Sequence, residues 1–104
     1  MCPQKKKFGL AHKAMRQWSG LGETRYARLL DMSLDNVRYI ERHGNIVPLT
    51  ELQRVYGVLL YWKSQTTSAA EYYIFKKQLN HYMRELVSLW KEANVKKIGP
   101  TALR

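Results

Sequence analysis

The sequence predicts an all-α fold, with a compact group of about four short helices followed by one long C-terminal helix. Apolar residues recur at intervals of three and four along most of the chain, and no segment shows the sustained alternation typical of a strand. Residues that start or stop helices, such as Ser33 and Gly44, fall at the ends of these periodic segments. A length of 104 residues fits one domain of roughly 60–70 residues plus an appendage and excludes two full domains.

The first two helices are separated by the sequence Gly-Leu-Gly at residues 20–22, which interrupts the helical pattern. A short helix from about Glu23 to Leu30 follows, and residues 31–33 are predicted to form a tight turn. The apolar residues expected to face the core from these two helices are Leu10, Ala14, Met15, Trp18, Tyr26, Ala27 and Leu30.

The third helix is predicted to start after Ser33, a good N-cap residue, and to extend to about His43. Gly44 can adopt the left-handed conformation that closes a helix. After a loop containing Pro48, a fourth helix is predicted to reach about Trp62. The residues expected to face the core here are Val37, Ile40, Leu52, Val55 and Leu59.

The long helix begins at the capping-box sequence Ser68-Ala-Ala-Glu71 and is predicted to extend to about residue 97, before Gly99-Pro100. Its apolar residues alternate spacings of three and four over three heptads, a pattern typical of helix pairing. These residues, called the C-terminal seam below, are Tyr72, Phe75, Leu79, Tyr82, Leu86, Leu89 and Ala93. Because the earlier helices look too few and too short to cover it, we expect this seam to form a homodimer interface. The alternative is that the long helix packs on its own domain.

The formal net charge of +10 is large for this length and indicates a polyanionic partner, either nucleic acid or an acidic membrane surface. The excess is uneven, since residues 1–22 carry five Lys or Arg and no acidic residue. Lys5, Lys6 and Lys7 lie within this stretch, which predicts a basic N-terminal arm; a simple solvated terminus is the alternative.

Composition excludes several classes of protein. A single cysteine, Cys2, cannot form an internal disulfide, and no Cys or His group has zinc-site spacing. No apolar run approaches the roughly 18–20 residues of a membrane span. His12, His43 and His81 are scattered and no glycine-rich phosphate loop is present, so we expect neither an enzyme nor a bound metal or cofactor. We expect a soluble, cytoplasmic chain.

The segment from Glu23 to Arg42 resembles the helix-turn-helix of the Xre/Cro family of phage and plasmid repressors. Two short helices that cross steeply need a small residue where they touch, and Ala27 occupies that position. Glu41, followed by a glycine and a proline ahead of Leu52, extends the resemblance over about residues 10–60.

The resemblance also implies that Arg16 pairs with Glu41. The sequence departs from the family pattern in several places: the loop after Glu41 has one extra residue, the apolar positions of the first helix match loosely, and two single positions differ. Asp31 stands where the inter-helix turn usually has glycine, although aspartate tolerates a positive φ better than most residues. Glu23 stands where glutamine is common, and its carboxylate would be repelled by phosphates.

By this resemblance, the outer face of the third helix enters the major groove of DNA. An arginine such as Arg38 can donate two parallel hydrogen bonds to guanine, an apolar side chain can contact a thymine methyl, and a carboxylate can accept from cytosine. Two residues have structural alternatives to a DNA contact. Asp35 also suits the positively polarised start of a helix, and Tyr39 can be a half-buried aromatic. The expected base contacts are Ser33, Leu34, Asp35, Arg38 and Tyr39; the expected phosphate contacts are Lys5, Lys6, Lys7, Lys13, Arg42, His43 and Asn45.

The sequence therefore predicts a repressor-like regulator that binds double-stranded DNA as a homodimer, without a membrane-bound state. The predicted organisation is a basic arm at residues 1–8, a DNA-binding domain at 9–62, a dimerisation helix at 68–97 and a tail at 98–104. Three alternatives use the same fold: an antitoxin whose long helix holds a toxin, a protein–protein adaptor that does not contact DNA and, less favoured, an RNA-binding protein.

Overall fold

The computed structural model describes residues 3–98, which form five α-helices and no strand. The helices are α1 (Pro3–Trp18), α2 (Glu23–Leu29), α3 (Leu34–His43), α4 (Leu49–Thr66) and α5 (Ala69–Ile98). The predicted all-α fold with a long C-terminal helix is confirmed. Cys2 and, apart from Ile98, the predicted tail lie outside the described residues.

Helix α1 starts earlier than the sequence predicted. Proline suits the first helical position, and α1 begins at Pro3, so residues 3–8 are helical and do not form an arm. Phe8 is fully buried and anchors these first turns. The core-facing register of α1 was only partly predicted. Met15 is buried as expected and Phe8 is buried as well, whereas Leu10 is 57% exposed and Ala14 is exposed.

The turn between α2 and α3 has the predicted geometry. Asp31 adopts a φ of +53°, the left-handed conformation for which glycine is more usual. The Ser33 hydroxyl caps α3 by accepting a hydrogen bond from the Asn36 amide at 3.0 Å. Gly44 closes α3 with a φ of +65°. Local sequence signals therefore fix both ends of α3.

Helices α1 and α3 cross in close contact at Gly9. A Cβ atom at this position would lie 2.5 Å from the carbonyl oxygen of Glu41, so only glycine fits there without movement of the backbone. The core around this crossing includes Tyr26, Val37 and Ile40, all of which are at most 1% exposed. Helix α3 is therefore held against α1 along its inner side.

Helix α5 packs on α1 and α4 of the same chain. Four residues of the predicted C-terminal seam are consequently buried within this chain, with exposures of 7% or less: Phe75, Leu79, Leu86 and Leu89. Their assignment to a dimer interface is corrected, since they are already covered. The physical reason is helix length: α1 has 16 residues and α4 has 18, four beyond the predicted end at Trp62, and both reach α5.

The rest of the seam is partly covered. Tyr72, Tyr82 and Ala93 are half-buried. The Trp18 ring of α1 stacks on Phe75 at 4.7 Å and on Tyr82 at 4.9 Å between ring centroids. Among the helices of residues 3–98, none is both long and apolar enough to cross a bilayer.

Candidate nucleic-acid interface

Helix α3 presents one polar face to solvent. Successive residues of an α-helix are about 100° apart, so Asp35, Tyr39 and Arg42 lie on the side opposite Val37. Val37 and Ile40 are buried, whereas Asp35, Tyr39 and Arg42 are exposed. The sequence-predicted outer face of α3 is thus accessible in the folded chain.

The five predicted base-contacting residues differ in how freely they can reach outward. Ser33 is exposed, but its hydroxyl already accepts the capping hydrogen bond. Leu34 is half-buried, whereas Asp35 is exposed. Tyr39 is 53% exposed, with its ring centroid 5.2 Å from that of His43. Tyr39 is therefore a surface aromatic next to a polar helix face.

Glu23, the first residue of α2, faces two arginines of α3. Its carboxylate lies 3.5 Å from Arg38 Nε and 3.7 Å from Arg42 Nη2. The side chains of Arg38 and Arg42 remain 41% and 63% exposed, so these ion pairs are weak in water. The buried Arg38 Nε atom has no hydrogen-bond partner among the described residues. The sequence identified Glu23 as an unfavourable neighbour of phosphate but did not reveal that it faces both arginines.

The start of α1 brings further cations to the C-terminal end of α3. An added Cβ at Gly44 would overlap the carbonyl oxygen of Lys5, so the two backbones touch there. The predicted phosphate-contacting residues at this end are all exposed: Lys5, Lys6, Lys7, Arg42, His43 and Asn45. Lys13 is exposed as well, eight residues further along α1 from Lys5, or about 12 Å. Lys5 to Lys7 thus lie next to α3 as part of a helix.

A buried polar cluster lies beneath this surface and joins α1, α2 and α3. Arg16 Nη2 donates to Glu41 Oε1 at 2.8 Å, and Arg16 Nη1 donates to the Leu21 carbonyl at 3.0 Å. His12 Nδ1 lies 2.7 Å from Glu41 Oε2, and His12 Nε2 lies 2.9 Å from the Tyr26 hydroxyl. The Arg16–Glu41 pair that the resemblance implied is confirmed. The role of His12 was missed, although its position one turn before Arg16 places it on the same face of α1.

The cluster perturbs the acidity of its members. Burial by itself would raise the pKa of Glu41, but the hydrogen bonds from His12 and Arg16 lower that pKa below its ordinary value. The hydrogen bond to Glu41 likewise raises the pKa of Arg16. Burial raises the pKa of the Tyr26 hydroxyl far above its ordinary range. Glu41 and Arg16 are therefore both charged at neutral pH, and Tyr26 is neutral.

Within residues 3–98, no group of three or more His, Cys, Asp or Glu side chains is placed to hold a metal ion. Comparison with protein-family models, with curated proteins and with solved structures gives no match to this chain.

Proposed function

We propose that this chain is a sequence-specific regulator that binds double-stranded DNA, with α3 as the helix that enters the major groove. The observation that supports this function most strongly is the accessible polar face of α3, which is bordered by the lysines of α1. The resemblance of residues 23–42 to the Xre/Cro helix-turn-helix supports it independently. On this proposal the chain acts in the cytoplasm as a repressor.

The dimensions and chemistry of α3 suit base recognition. An α-helix with its side chains is about 10–12 Å wide, and the major groove is about 12 Å wide. Arg38 is assigned to guanine because its guanidinium can donate two parallel hydrogen bonds to O6 and N7. Its link to Glu23 is long and partly exposed, so DNA can replace it at low cost.

Phosphate contacts supply most of the proposed affinity and no sequence information. Lys5 to Lys7, Arg42 and His43 lie at one end of α3 and are exposed. No acidic residue occurs in α1, so nothing on that helix opposes an approaching phosphate. The net charge of +10 attracts DNA from a distance.

Two copies are needed to read an operator of useful length, with half-sites about 34 Å apart. Since most of the C-terminal seam is buried within the chain, the proposed pairing surface moves to exposed apolar residues within two turns of the α4–α5 connection. These residues are Tyr61, Tyr73 and Ile74, with exposures of 70%, 59% and 56%. Sedimentation equilibrium of the wild type and of Tyr73→Glu with Ile74→Glu tests this pairing. Dimers only in the wild type support it, and equal dimerisation of both overturns it.

A salt titration of duplex binding tests the proposed function. Fluorescence anisotropy with a labelled random-sequence duplex is expected to give a log–log salt slope near −0.9 per phosphate contacted, or about −5 or steeper for a dimer. Replacing Lys6 and Lys7 by Gln is expected to reduce the slope by about 2 per protomer, or nearly 4 for a dimer, whereas the same change at Lys76 and Lys77 of α5 leaves it unchanged. A chain that does not bind duplex DNA in low salt would overturn the proposal and favour an adaptor.

A further inference from the structure

An open apolar groove lies between α4 and α5, and none of its lining residues belongs to α3. Its volume is about 660 Å³. On its floor Leu52 is 1% exposed and Met83 is 8% exposed, and Val87 is half-buried. The residues that line it are Leu49, Leu52, Gln53, Tyr56, Asn80, Met83, Arg84, Val87, Ser88 and Lys91. This lining is apolar at its centre and polar at its margins.

The shape of the groove matches a helix. On α5 the lining extends from Asn80 to Lys91, a rise of about 16 Å or three helical turns. The Tyr56 hydroxyl donates to Asn80 Oδ1 at 2.7 Å and ties the two walls together. The α4 wall, from Leu49 to Tyr56, is shorter, with a rise of about 10 Å or two turns. An apolar floor of this size suits the apolar stripe of a short amphipathic helix, which repeats at intervals of three and four residues.

The charge of the groove's rim indicates which charge a bound helix should carry. Arg84 and Lys91 are exposed on the rim, and no acidic residue lines the described groove. Neither cation forms an ion pair with another described residue, so both are free to pair with a ligand. We propose that this groove binds an amphipathic helix of a partner protein whose flanking residues are Asp or Glu.

Two other occupants fit the charge poorly. In a two-fold dimer built on this groove, each copy would bring Arg84 and Lys91 to the interface, and the described lining of neither copy offers an acidic residue to pair with them. The residues after α5, Gly-Pro-Thr-Ala-Leu-Arg at 99–104, contain one arginine and no acid. A separate acidic partner is the occupant that complements the rim. This inference stands independently of DNA binding.

The test uses a displayed library of 14-residue helical peptides with a fixed apolar stripe and randomised flanking residues. Selection on the wild-type chain is expected to enrich Asp and Glu in the flanks. Selection on Arg84→Glu with Lys91→Glu is expected to enrich Lys and Arg, and this variant should bind the wild-type peptides at least tenfold more weakly. Ser88→Trp, which fills the groove while leaving both cations, should also abolish binding.

The matched control is Lys7→Glu with Lys13→Glu on α1. Each double variant replaces two cations by two anions, so both lower the net charge from +10 to +6. The control is expected to keep peptide binding and lose duplex affinity, while the groove variant does the reverse. Failure of the proposed function would thus appear as absent DNA binding with intact peptide selection. The acidic-helix proposal would be overturned if selection on the wild type enriched no flanking residues or enriched basic ones. It would also be overturned if the groove variant bound the peptides as well as the wild type, or if the chain self-associated and Ser88→Trp abolished that self-association.

Discussion

Arg16 of α1 holds Glu41 of α3 through a two-pronged contact, with Nε 2.9 Å from Oε2 and Nη2 2.8 Å from Oε1. The two side chains are only 6% and 3% exposed, so this ion pair is nearly excluded from water. Because Glu41 belongs to α3, the pair fixes the helix whose opposite face is polar and accessible. The orientation of that face thus depends on a buried charge pair.

Removal of one partner of this pair is expected to destabilise the fold severely. Glu41→Ala leaves the Arg16 guanidinium buried without its counter-charge, which costs about 3–5 kcal/mol of unfolding free energy. Glu51→Ala is the matched control, since the Glu51–Arg54 pair is 32% and 39% exposed and is worth at most about 1 kcal/mol. Urea denaturation followed by circular dichroism measures both. Equal losses for the two variants would contradict a structural role for the buried pair.

Stability is expected to fall in acid partly through Glu41. Its pKa is lowered in the folded chain, so its contribution is complete above its ordinary value of 4.5 and is lost as the pH falls through the lower folded pKa. The Glu41→Gln variant is expected to be less stable than the wild type at pH 5. As the pH is lowered from 5, it should therefore lose less stability than the wild type does. Glu85→Gln, at an exposed position, should follow the wild-type pH dependence. A Glu41→Gln curve parallel to the wild type would contradict this assignment.

Two glycines within helices are expected to respond oppositely to alanine. Gly9→Ala should destabilise the chain, because the new Cβ would lie 2.5 Å from the Glu41 carbonyl oxygen and force α1 and α3 apart. Gly57→Ala meets no atom within 4 Å and should stabilise α4 by roughly 0.5–1 kcal/mol. Thermal unfolding measures both shifts. A Gly9→Ala variant as stable as the wild type would show that the helices do not cross this closely.

Arg38 and Arg42 are expected to differ in their effects on DNA binding. Arg38→Ala should cost about 1–3 kcal/mol on a selected operator and relax the preference at one base pair. Arg42→Ala should weaken operator and scrambled duplexes alike, as a phosphate contact does. Glu23→Gln, which removes the carboxylate facing both arginines, should raise affinity for both duplexes. Equal weakening of the two duplexes by Arg38→Ala would instead assign Arg38 to the backbone.

The parts of the fold that local chemistry determines were predictable from the sequence. Ser33 caps the start of α3, Asp31 adopts the positive φ of the turn before it, and Gly44 adopts the positive φ that ends it. Each of these roles was expected from the residue type. The polar face of α3 was predictable for the same reason, because two buried residues define its opposite side.

The features that depend on distant packing were not predictable in this way. The heptad pattern of α5 is the same whether Leu79 and Leu86 face a second copy or α1 and α4, so periodicity alone could not decide between them. The run Lys5 to Lys7 predicts a solvent-exposed arm, so the helical register that the buried Phe8 sets for these residues was not recognised. His12 joined the buried cluster because α1, α2 and α3 bring Tyr26 and Glu41 to it from 14 and 29 residues away.

Selection of duplexes from a random pool is the measurement that tests DNA recognition by α3 most directly. The expected result for the wild type is one enriched palindrome with half-sites about 10 base pairs apart, and Arg38→Ala should lose the preference at one symmetric position. A pool that stays random after repeated selection in low salt, or a consensus unchanged by substitutions on the outer face of α3, would contradict it.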